Sequence, residues 1–282
     1  FCDTTYHSLI LRVDFRYKEI ELNPNVYEGH LQMTKLAANL SMMFSEVSFL
    51  DRFQAAANAG FKGVEYLFPY EYPAEQIREK LDQNGLTQVL FDFPAGNWDD
   101  GDRGIGSIPE RSGEFQDGVG TAVEYAKTLG CERLTVLAGK GGVGSDPVDM
   151  QETLIENLKF AARAVRGTNI IVLLEAINTI DIPGYSVFST HQSRDAVEAA
   201  DSPSLKIQYD IYHMQIMEGD VTRTINANFD SIHHYQLADN PGRHEPGTGE
   251  LNYDFLLSHL DTKGYDGWIG CEYIPIAGTV EG

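Results

Sequence analysis

The stretches that decide the fold are IVLLEA (171–176), IQYDIYH (207–213), HHYQLAD (233–239) and WIGCEY (268–273). Each is a short run of apolar, β-branched or aromatic residues, which predicts a buried strand. Each run ends on a side chain that carries oxygen, namely Glu175, Asp210, Gln236 and Glu272. These residues are 35, 26 and 36 positions apart, and each interval is about one strand–helix–strand unit long. Four parallel strands ending side by side would therefore bring their oxygen atoms together.

The same alternation of strand and helix runs through the chain from Met33 onward. The predicted strands are 35–41, 63–68, 86–93, 133–139, 169–176, 205–213, 232–239 and 267–273. The predicted helices are 48–60, 74–84, 115–129, 149–166, 190–201, 221–228 and 253–263. Eight strands separated by helices indicate an α/β protein with a closed, parallel, eight-stranded (β/α)8 TIM barrel. A doubly wound open sheet is the alternative, but polar strand ends of this kind are typical of barrel active sites.

The two ends of the chain depart from this pattern. Residues 1–32 have mixed charge and a weak apolar run, without the apolar region and cleavage site of a signal peptide. We predict that residues 1–32 are an N-terminal extension outside the barrel and that residues 33–282 form one catalytic barrel domain. An arm that packs on a neighbouring subunit is the alternative for residues 1–32. Because the sequence ends soon after Tyr273, the eighth helix is expected to be short or missing, as in a truncated chain.

Charge and composition exclude several classes of protein. The sequence carries 42 acidic and 21 basic side chains, a net charge of −21. Such a charge argues against nucleic acid as a partner, because that binding depends on Lys and Arg contacts to phosphate. No stretch approaches the roughly 18 consecutive apolar residues of a membrane span, so no membrane partner is expected. Three cysteines without metal-type spacing favour a reduced, cytoplasmic protein.

The polar strand ends predict a metal site. Carboxylate and amide oxygens are ligands suited to a divalent cation, with Mg2+ or Mn2+ favoured for coordination by oxygen alone. Buried carboxylates are rare unless they are paired or bind metal, and several together repel one another. His213, three residues after Asp210, is a candidate for a ligand or for a residue that orients Asp210 or a substrate oxygen. His234 is expected to be a hydrogen-bonded core histidine.

A glycine-rich segment follows the fourth predicted strand. Gly139, Gly141 and Gly144 match the G-x-G-x-x-G pattern of dinucleotide-binding proteins. That pattern also needs a second strand ending in an acidic residue about 20 positions later, and this region falls inside the predicted helix 149–166. A mobile loop of the barrel is therefore the better interpretation, and no nicotinamide cofactor is expected.

The sequence resembles the hydroxypyruvate isomerase family, which belongs to the xylose isomerase-like barrels together with ketose 3-epimerases and family-2 AP endonucleases. The stretches that carry the resemblance include AGFKGVEYLFPY (59–70), GDRGIGSIPER (101–111), HYQLADNPGRHEPGTGELNY (234–253) and GWIGCEY (267–273). The resemblance implies that Glu175, Asp210, Gln236 and Glu272 bind the metal and that both glutamates are acid/base catalysts. It also implies that His213 and Arg243 contact substrate.

Two differences from other branches of these barrels indicate which branch the sequence resembles most. Relatives that act on free sugars usually carry histidine at the position of Gln236, so glutamine favours the hydroxypyruvate branch. The endonuclease relatives carry extra histidines on strands two and three. Here the corresponding stretches read LFPY (67–70) and FDFP (91–94), without histidine.

The activity that this resemblance implies is the interconversion of hydroxypyruvate and tartronate semialdehyde by proton transfer through an enediolate. The substrate is expected to be a small anionic keto or hydroxy acid, and Arg243 and Arg103 are the candidates for binding its carboxylate. Isomerisation of a four-carbon 2-oxotetronate and epimerisation of a ketose at carbon 3 are alternatives. A non-catalytic ligand-binding barrel is a third. The sequence leaves a homo-oligomer open.

Overall fold

The computed structural model describes residues 34–142 and 144–281. The predicted N-terminal extension, residues 1–32, lies outside the described residues. The strands are β1 Lys35–Asn39, β2 Gly63–Glu65, β3 Thr87–Asp92, β4 Arg133–Val136, β5 Ile171–Glu175, β6 Leu205–Asp210, β7 Ile232–Leu237 and β8 Trp268–Cys271. The α-helices are α1 Phe49–Asn58, α2 Ala74–Asn84, α3 Ser112–Leu129, α4 Pro147–Ala164, α5 Thr190–Ala200, α6 Ile211–Met217, α7 Val221–Asn228 and α8 Tyr253–Thr262.

The eight strands form one closed barrel in sequence order. Every neighbouring pair is parallel, and β1 pairs with β8 to close the ring. The predicted parallel (β/α)8 barrel is therefore confirmed, and the open sheet is excluded. Because the strands are parallel, all their carboxyl ends lie at one mouth of the barrel, where barrel active sites are found.

The core has two parts, as the alternation of side chains along a strand requires. One part lies between the barrel and the surrounding helices and contains most of the buried aliphatic and aromatic residues. The other is a small cluster of Ala37, Val89, Leu90 and Leu173. Buried polar side chains are numerous as well.

Local chemistry sets where several helices begin and end. Helix α2 ends at Gly85 and α3 at Gly130, and both glycines have a left-handed backbone conformation with φ of 62° and 67°. The side chain of Asp146 caps α4 by accepting the amide N–H of Val148, and Ser189 caps α5 in the same way. The first and last residues of these helices agree with the predicted boundaries to within about three residues.

One of the wrong sequence-based boundaries lies at Asp210, the end of β6. The strand predicted for 205–213 ends at Asp210, and helix α6 begins at once with Ile211. The physical reason is that Asp210 Oδ1 accepts the backbone N–H of Tyr212 at 2.8 Å, which caps a helix. His213 therefore lies in the first turn of a helix. Among the described residues after β8, through Glu281, there is no α-helix, as expected.

Candidate metal and active site

Acidic and amide side chains occupy the carboxyl ends of seven of the eight strands. Counting Glu272, which directly follows β8, these residues are Asn39, Glu65, Asp92, Glu175, Asp210, Gln236 and Glu272. All seven are buried. Polar groups that are removed from water need hydrogen bonds or a cation, so the partners of these side chains indicate what the site is built to do.

Three of the four predicted ligands lie in one cluster. Glu175, Asp210, Glu272 and His213 each place one potential ligand atom within 4.8 Å of the others. The exposed fractions of the three acids are only 5%, 0% and 7%. Their strands are distant in sequence, and barrel closure brings β5, β6 and β8 to the same mouth.

The pKa values of the three acids in this cluster are all raised. Burial raises the pKa of Glu175 well above its usual value, and the nearby carboxyl groups of Glu272 and Asp210 raise it further. Burial likewise raises the pKa of Asp210, although Arg243 opposes the shift. Burial raises the pKa of Glu272 to about 8, again against the effect of Arg243. Three acids whose pKa values are all raised share a site that favours added positive charge.

Arg243 supplies part of that charge. Its Nη2 atom lies 2.7 Å from Glu272 Oε2 and 3.6 Å from Asp210 Oδ2, and its guanidinium group stacks over the ring of Tyr212. The backbone of Arg243 adopts φ of 54°, which is uncommon for a residue other than glycine. One guanidinium against three carboxyl groups leaves the cluster with an excess of acid.

His213 completes the cluster. Its Nε2 atom lies 3.5 Å from Asp210 Oδ2 and 3.9 Å from Glu175 Oε1, and its Nδ1 atom lies 2.7 Å from Asn178 Nδ2. Burial lowers the pKa of His213 well below its usual value, and Arg243 lowers it further. The imidazole is therefore neutral near pH 7, which permits either a ligand role or a donor role.

Gln236, the fourth predicted ligand, sits beside Asp210 in the register of β6 and β7. Its Nε2 atom donates to Glu65 Oε1 at 2.8 Å, and its Oε1 atom accepts from Gln208 Nε2 at 2.6 Å. An amide oxygen has two lone pairs, so the bond from Gln208 leaves one lone pair for a cation. Its role as a ligand stays a prediction.

Glu65 is a buried acid beside the site that was not predicted from the sequence. Its carboxylate accepts hydrogen bonds from Gln236, from His234 at 2.8 Å and from Asn39 at 3.2 Å. Asn39 Nδ2 also donates to Glu272 Oε1 at 3.1 Å. A continuous hydrogen-bonded network thus connects Glu272 to the residues beneath it. His234 is fully buried, which confirms the prediction of a hydrogen-bonded core histidine.

Glu65 was missed because the predicted second strand, 63–68, continued past it. The structure ends β2 at Glu65 and β3 at Asp92, so these acids, and not LFPY or FDFP, stand at the strand ends. The signal was present in the sequence. A glutamate inside the apolar run GVEYLF is a buried carboxylate, and buried carboxylates are rare without a partner.

Arg103, a predicted substrate contact, lies in the loop after β3. Its guanidinium group donates to the carbonyl oxygens of Trp98 and Asp102 and lies 4.3 Å from the centre of the Trp98 ring. Trp98 in turn packs edge-on against Phe68. These contacts order the loop, and a role for Arg103 in binding substrate stays a prediction.

The glycine-rich segment joins β4 to α4 and is tied to the loop after β5. Ser186 donates to the carbonyl oxygen of Gly139 through both its backbone N–H and its hydroxyl, each at 2.9 Å. The N-terminus of α4, where a dinucleotide phosphate would bind, is already capped by the carboxylate of Asp146. This arrangement agrees with a barrel loop.

The donor set fits a divalent cation. Glu175 Oε1 and Asp210 Oδ2 are buried and have no hydrogen-bond partner among the described residues. Unpaired buried acceptors in a cluster of acids are costly unless a cation binds there. Glu175, Asp210 and Glu272 would hold the ion, with Gln236 as the predicted fourth ligand.

The helices of the described residues include none with the length and apolar character of a membrane span.

Comparison with known proteins places the chain among relatives. The sequence model described as xylose isomerase-like TIM barrel matches residues 53–282. Hydroxypyruvate isomerase from Escherichia coli K12 is 46% identical over 250 residues, which cover 89% of this chain and 97% of that protein. The 2-oxo-tetronate isomerase of Cupriavidus necator is 47% identical over 250 residues, covering 89% and 96%. A crystal structure described as a family-2 AP endonuclease from Brucella melitensis is similar with a TM-score of 0.87 and 46% identity, covering 89% and 96%.

Proposed function

This chain belongs to the xylose isomerase-like TIM barrel family, and we propose that it interconverts hydroxypyruvate and tartronate semialdehyde (2-hydroxy-3-oxopropanoate). The match to this family and the 46% identity to hydroxypyruvate isomerase confirm the resemblance inferred from the sequence. The chain is an enzyme of the aldose–ketose isomerase type, as its relatives are, which sets the non-catalytic alternative aside. The observation that carries the proposal is the meeting of Glu175 and Glu272 in one buried cluster.

The two glutamates supply the proton chemistry. In the forward direction a carboxylate takes a proton from C3 of hydroxypyruvate, leaving an enediolate that spans C2 and C3. A proton then returns to C2, while the C3 oxygen loses its proton and the C2 oxygen gains one. Both side chains are held at the site by barrel strands, and a carboxyl group with a pKa near neutrality is suited to such transfer. In the cation-free site burial raises the pKa of Glu272 to about 8, and a bound cation would lower it toward neutrality.

We propose Mg2+ or Mn2+ as the cofactor. An oxygen-rich donor set of carboxylates and an amide is typical of these hard cations. When bound, such a cation would stabilise the negative charge that develops on the substrate oxygens. The chain's own residues exclude water around it, because the acids that would hold it are all nearly fully buried.

Arg243 is the best candidate for binding the substrate carboxylate. A guanidinium group carries five N–H donors. Arg243 directs Nη2 toward Glu272, Asp210 and His213 and Nε toward the backbone carbonyl of Glu272, and none of these contacts uses Nη1. The protein as a whole carries a net charge of −21 and repels small anions, so a local cation is needed. Arg103 remains the second candidate.

Isomerisation of 2-oxo-tetronate is the second candidate function. The Cupriavidus necator relative bears that name at 47% identity, close to the 46% of the Escherichia coli relative. Endonuclease activity, the description given to the Brucella structure, is disfavoured for this chain by its acidic charge. A ketose 3-epimerase is disfavoured by Gln236 at the position where sugar-acting relatives usually carry histidine.

Location and assembly are also proposals. Cys131 and Cys271 are buried and free, and unpaired thiols of this kind favour the reducing cytoplasm. We propose that the enzyme acts there on small acids, without nucleic-acid or membrane partners, and that it forms a homo-oligomer in solution.

A substrate panel tests the proposed function. Three- to six-carbon keto acids and ketoses are assayed at equal concentration, with and without added Mg2+ or Mn2+, after treatment with a chelator. The proposal expects the highest kcat/KM for hydroxypyruvate and activity that returns with the cation. A clear preference for 2-oxo-tetronate would favour the second candidate, and a preference for a free ketose would contradict both.

A further inference from the structure

Asn178, in the loop between β5 and α5, has an amide group whose orientation is fixed by its neighbours. The side chain is fully buried. Its Oδ1 atom accepts the backbone N–H groups of Ile180 at 3.0 Å and Asp181 at 2.8 Å. Backbone N–H groups can only donate, so this atom must be the carbonyl oxygen. The opposite atom is therefore the NH2 group.

That NH2 group faces His213. It donates to Asp181 Oδ2 at 3.0 Å and lies 2.7 Å from Nδ1 of His213. A ring nitrogen that receives a hydrogen bond from an N–H group has no proton of its own. Nε2 faces Asp210 and Glu175 at 3.5 and 3.9 Å, and Arg243 Nη2 lies 3.4 Å from the same atom. The contact of Asn178 with Nδ1, at 2.7 Å, is the much shorter of the two contacts with N–H donors, so the neutral imidazole carries its single proton on Nε2.

We propose that Asn178 is a positioning residue that fixes the tautomer of His213, so that Nε2–H donates a hydrogen bond to the substrate and does not coordinate the cation. Nitrogen coordination needs the lone pair of Nε2, and that lone pair is occupied by the proton in this tautomer. The role as donor to substrate rests on the proposed isomerase function. The statement about the tautomer rests on the short contact between Asn178 Nδ2 and His213 Nδ1.

The consequence concerns which ions and which oxygen atoms the site prefers. With His213 withdrawn from coordination, the ligand atoms are all oxygen, which selects hard cations over those that favour imidazole. The Nε2–H group belongs to the carboxylate cluster, and it would stabilise the negative charge of an enediolate oxygen that binds beside it. A preorganised donor at that place stabilises the transition state more than the ground state.

The test begins with the wild-type protein. In a sample labelled with 15N-histidine, correlation of the ring nitrogens with the ring carbon-bound protons identifies which nitrogen bears the proton. We expect Nε2 of His213 to be protonated and Nδ1 to be bare. His259, whose Nε2 atom contacts Asn226, serves as an internal control. A proton on Nδ1 of His213 in the wild-type protein would overturn the proposal without any variant.

The variant Asn178→Asp replaces the hydrogen-bond donor that faces His213 Nδ1 with an acceptor. Its carboxylate can keep the backbone bonds to Ile180 and Asp181 but presents an acceptor to Nδ1, so the proton should move there and free Nε2. We expect the ratio of Co2+ affinity to Mg2+ affinity to rise at least about tenfold, with a change in the Co2+ absorption spectrum. Asn178→Ala, which offers neither donor nor acceptor, should give a mixture of tautomers.

An unchanged Co2+ to Mg2+ ratio in Asn178→Asp, with a confirmed tautomer switch, would show that His213 does not decide the ligand set and would overturn the proposal. An unchanged tautomer in that variant would overturn it as well. If Asn178→Asp does not fold, the wild-type spectrum decides alone. None of these readouts needs turnover. Failure of hydroxypyruvate as a substrate would therefore reject the proposed function and leave the proposal on Asn178 to be judged separately.

Discussion

Binding of a divalent cation to the acidic cluster is expected to release protons, so its affinity should rise with pH. Burial raises the pKa of Glu272 to about 8, and at pH 7 this carboxyl group is protonated by about ten to one. A carboxyl ligand must lose its proton to coordinate. Below pH 8 the apparent affinity should thus fall about tenfold per pH unit for this group alone, or about 1.4 kcal/mol.

The raised pKa values of Glu175 and Asp210 act in the same direction and steepen the dependence. The effect on the cation-free protein has the opposite sign. Glu272 binds its proton more tightly in the folded protein than at its usual pKa of 4.5. The free energy of unfolding without cation should therefore fall as the pH rises from about 4.5 to about 8. Saturating cation should remove this loss.

Isothermal titration of Mn2+ into the cation-free protein at pH 6, 7 and 8 measures the affinity. Buffers with different ionisation enthalpies count the protons released. We expect release of about one proton from Glu272 at pH 6 and a Kd at least about 50-fold lower at pH 8 than at pH 6. The variant Glu272→Gln should release about one proton fewer. A Kd that is constant within about threefold, with a binding enthalpy independent of buffer, would show that cation binding does not displace protons from the acidic cluster.

Three further predictions concern single side chains. Glu272→Gln should lower kcat for the preferred substrate by about 10²–10⁴, because it removes a proton acceptor at the reacting carbon. Arg243→Met should raise KM for hydroxypyruvate far more than for a neutral ketose, since it removes the cation that would bind the carboxylate, and loss of a buried charge partner costs about 2–5 kcal/mol. Gly270→Ala should destabilise the protein by about 1–3 kcal/mol in urea unfolding, because its Cβ would overlap Glu65.

Two of these predictions have a matched control variant, and the neutral ketose is the control for Arg243→Met. Glu114→Gln changes an exposed glutamate paired with Arg111 and should leave kcat unaltered. Gly120→Ala, in α3 with open space around the added Cβ, should be neutral or stabilising by up to about 1 kcal/mol. A Glu272→Gln enzyme with wild-type kcat would rule out its acid/base role. Equal KM changes for charged and neutral substrates would rule out carboxylate binding by Arg243. Equal stability of the two glycine variants would show that Glu65 is not rigidly held.

Most strands and helices of the barrel could be predicted from the sequence. Apolar runs separated by helical patterns and by Gly85 and Gly130 place all eight strands, because short buried strands and left-handed glycines leave strong local signals. Helix α6 was missed, since IYH continues the apolar run of β6 and only the capping bond from Asp210 to Tyr212 ends the strand. Such a bond depends on side-chain geometry that residue patterns do not specify.

The site was predicted in part. Glu175, Asp210 and Glu272 follow from the pattern of strand ends, and the structure brings them together. Glu65 was recoverable from an acid inside an apolar strand but was hidden by an overlong strand prediction. Asn178 was not recoverable, because its importance comes from two backbone bonds and one ring contact that form only when the loop after β5 meets α6.

The most direct measurement is anomalous diffraction from a crystal soaked in Mn2+. We expect one strong anomalous peak at the carboxyl-end mouth of the barrel, bounded by the carboxylates of Glu175, Asp210 and Glu272. A peak elsewhere on the protein, or none at a Mn2+ concentration that supports full activity, would show that these acids do not hold the cation.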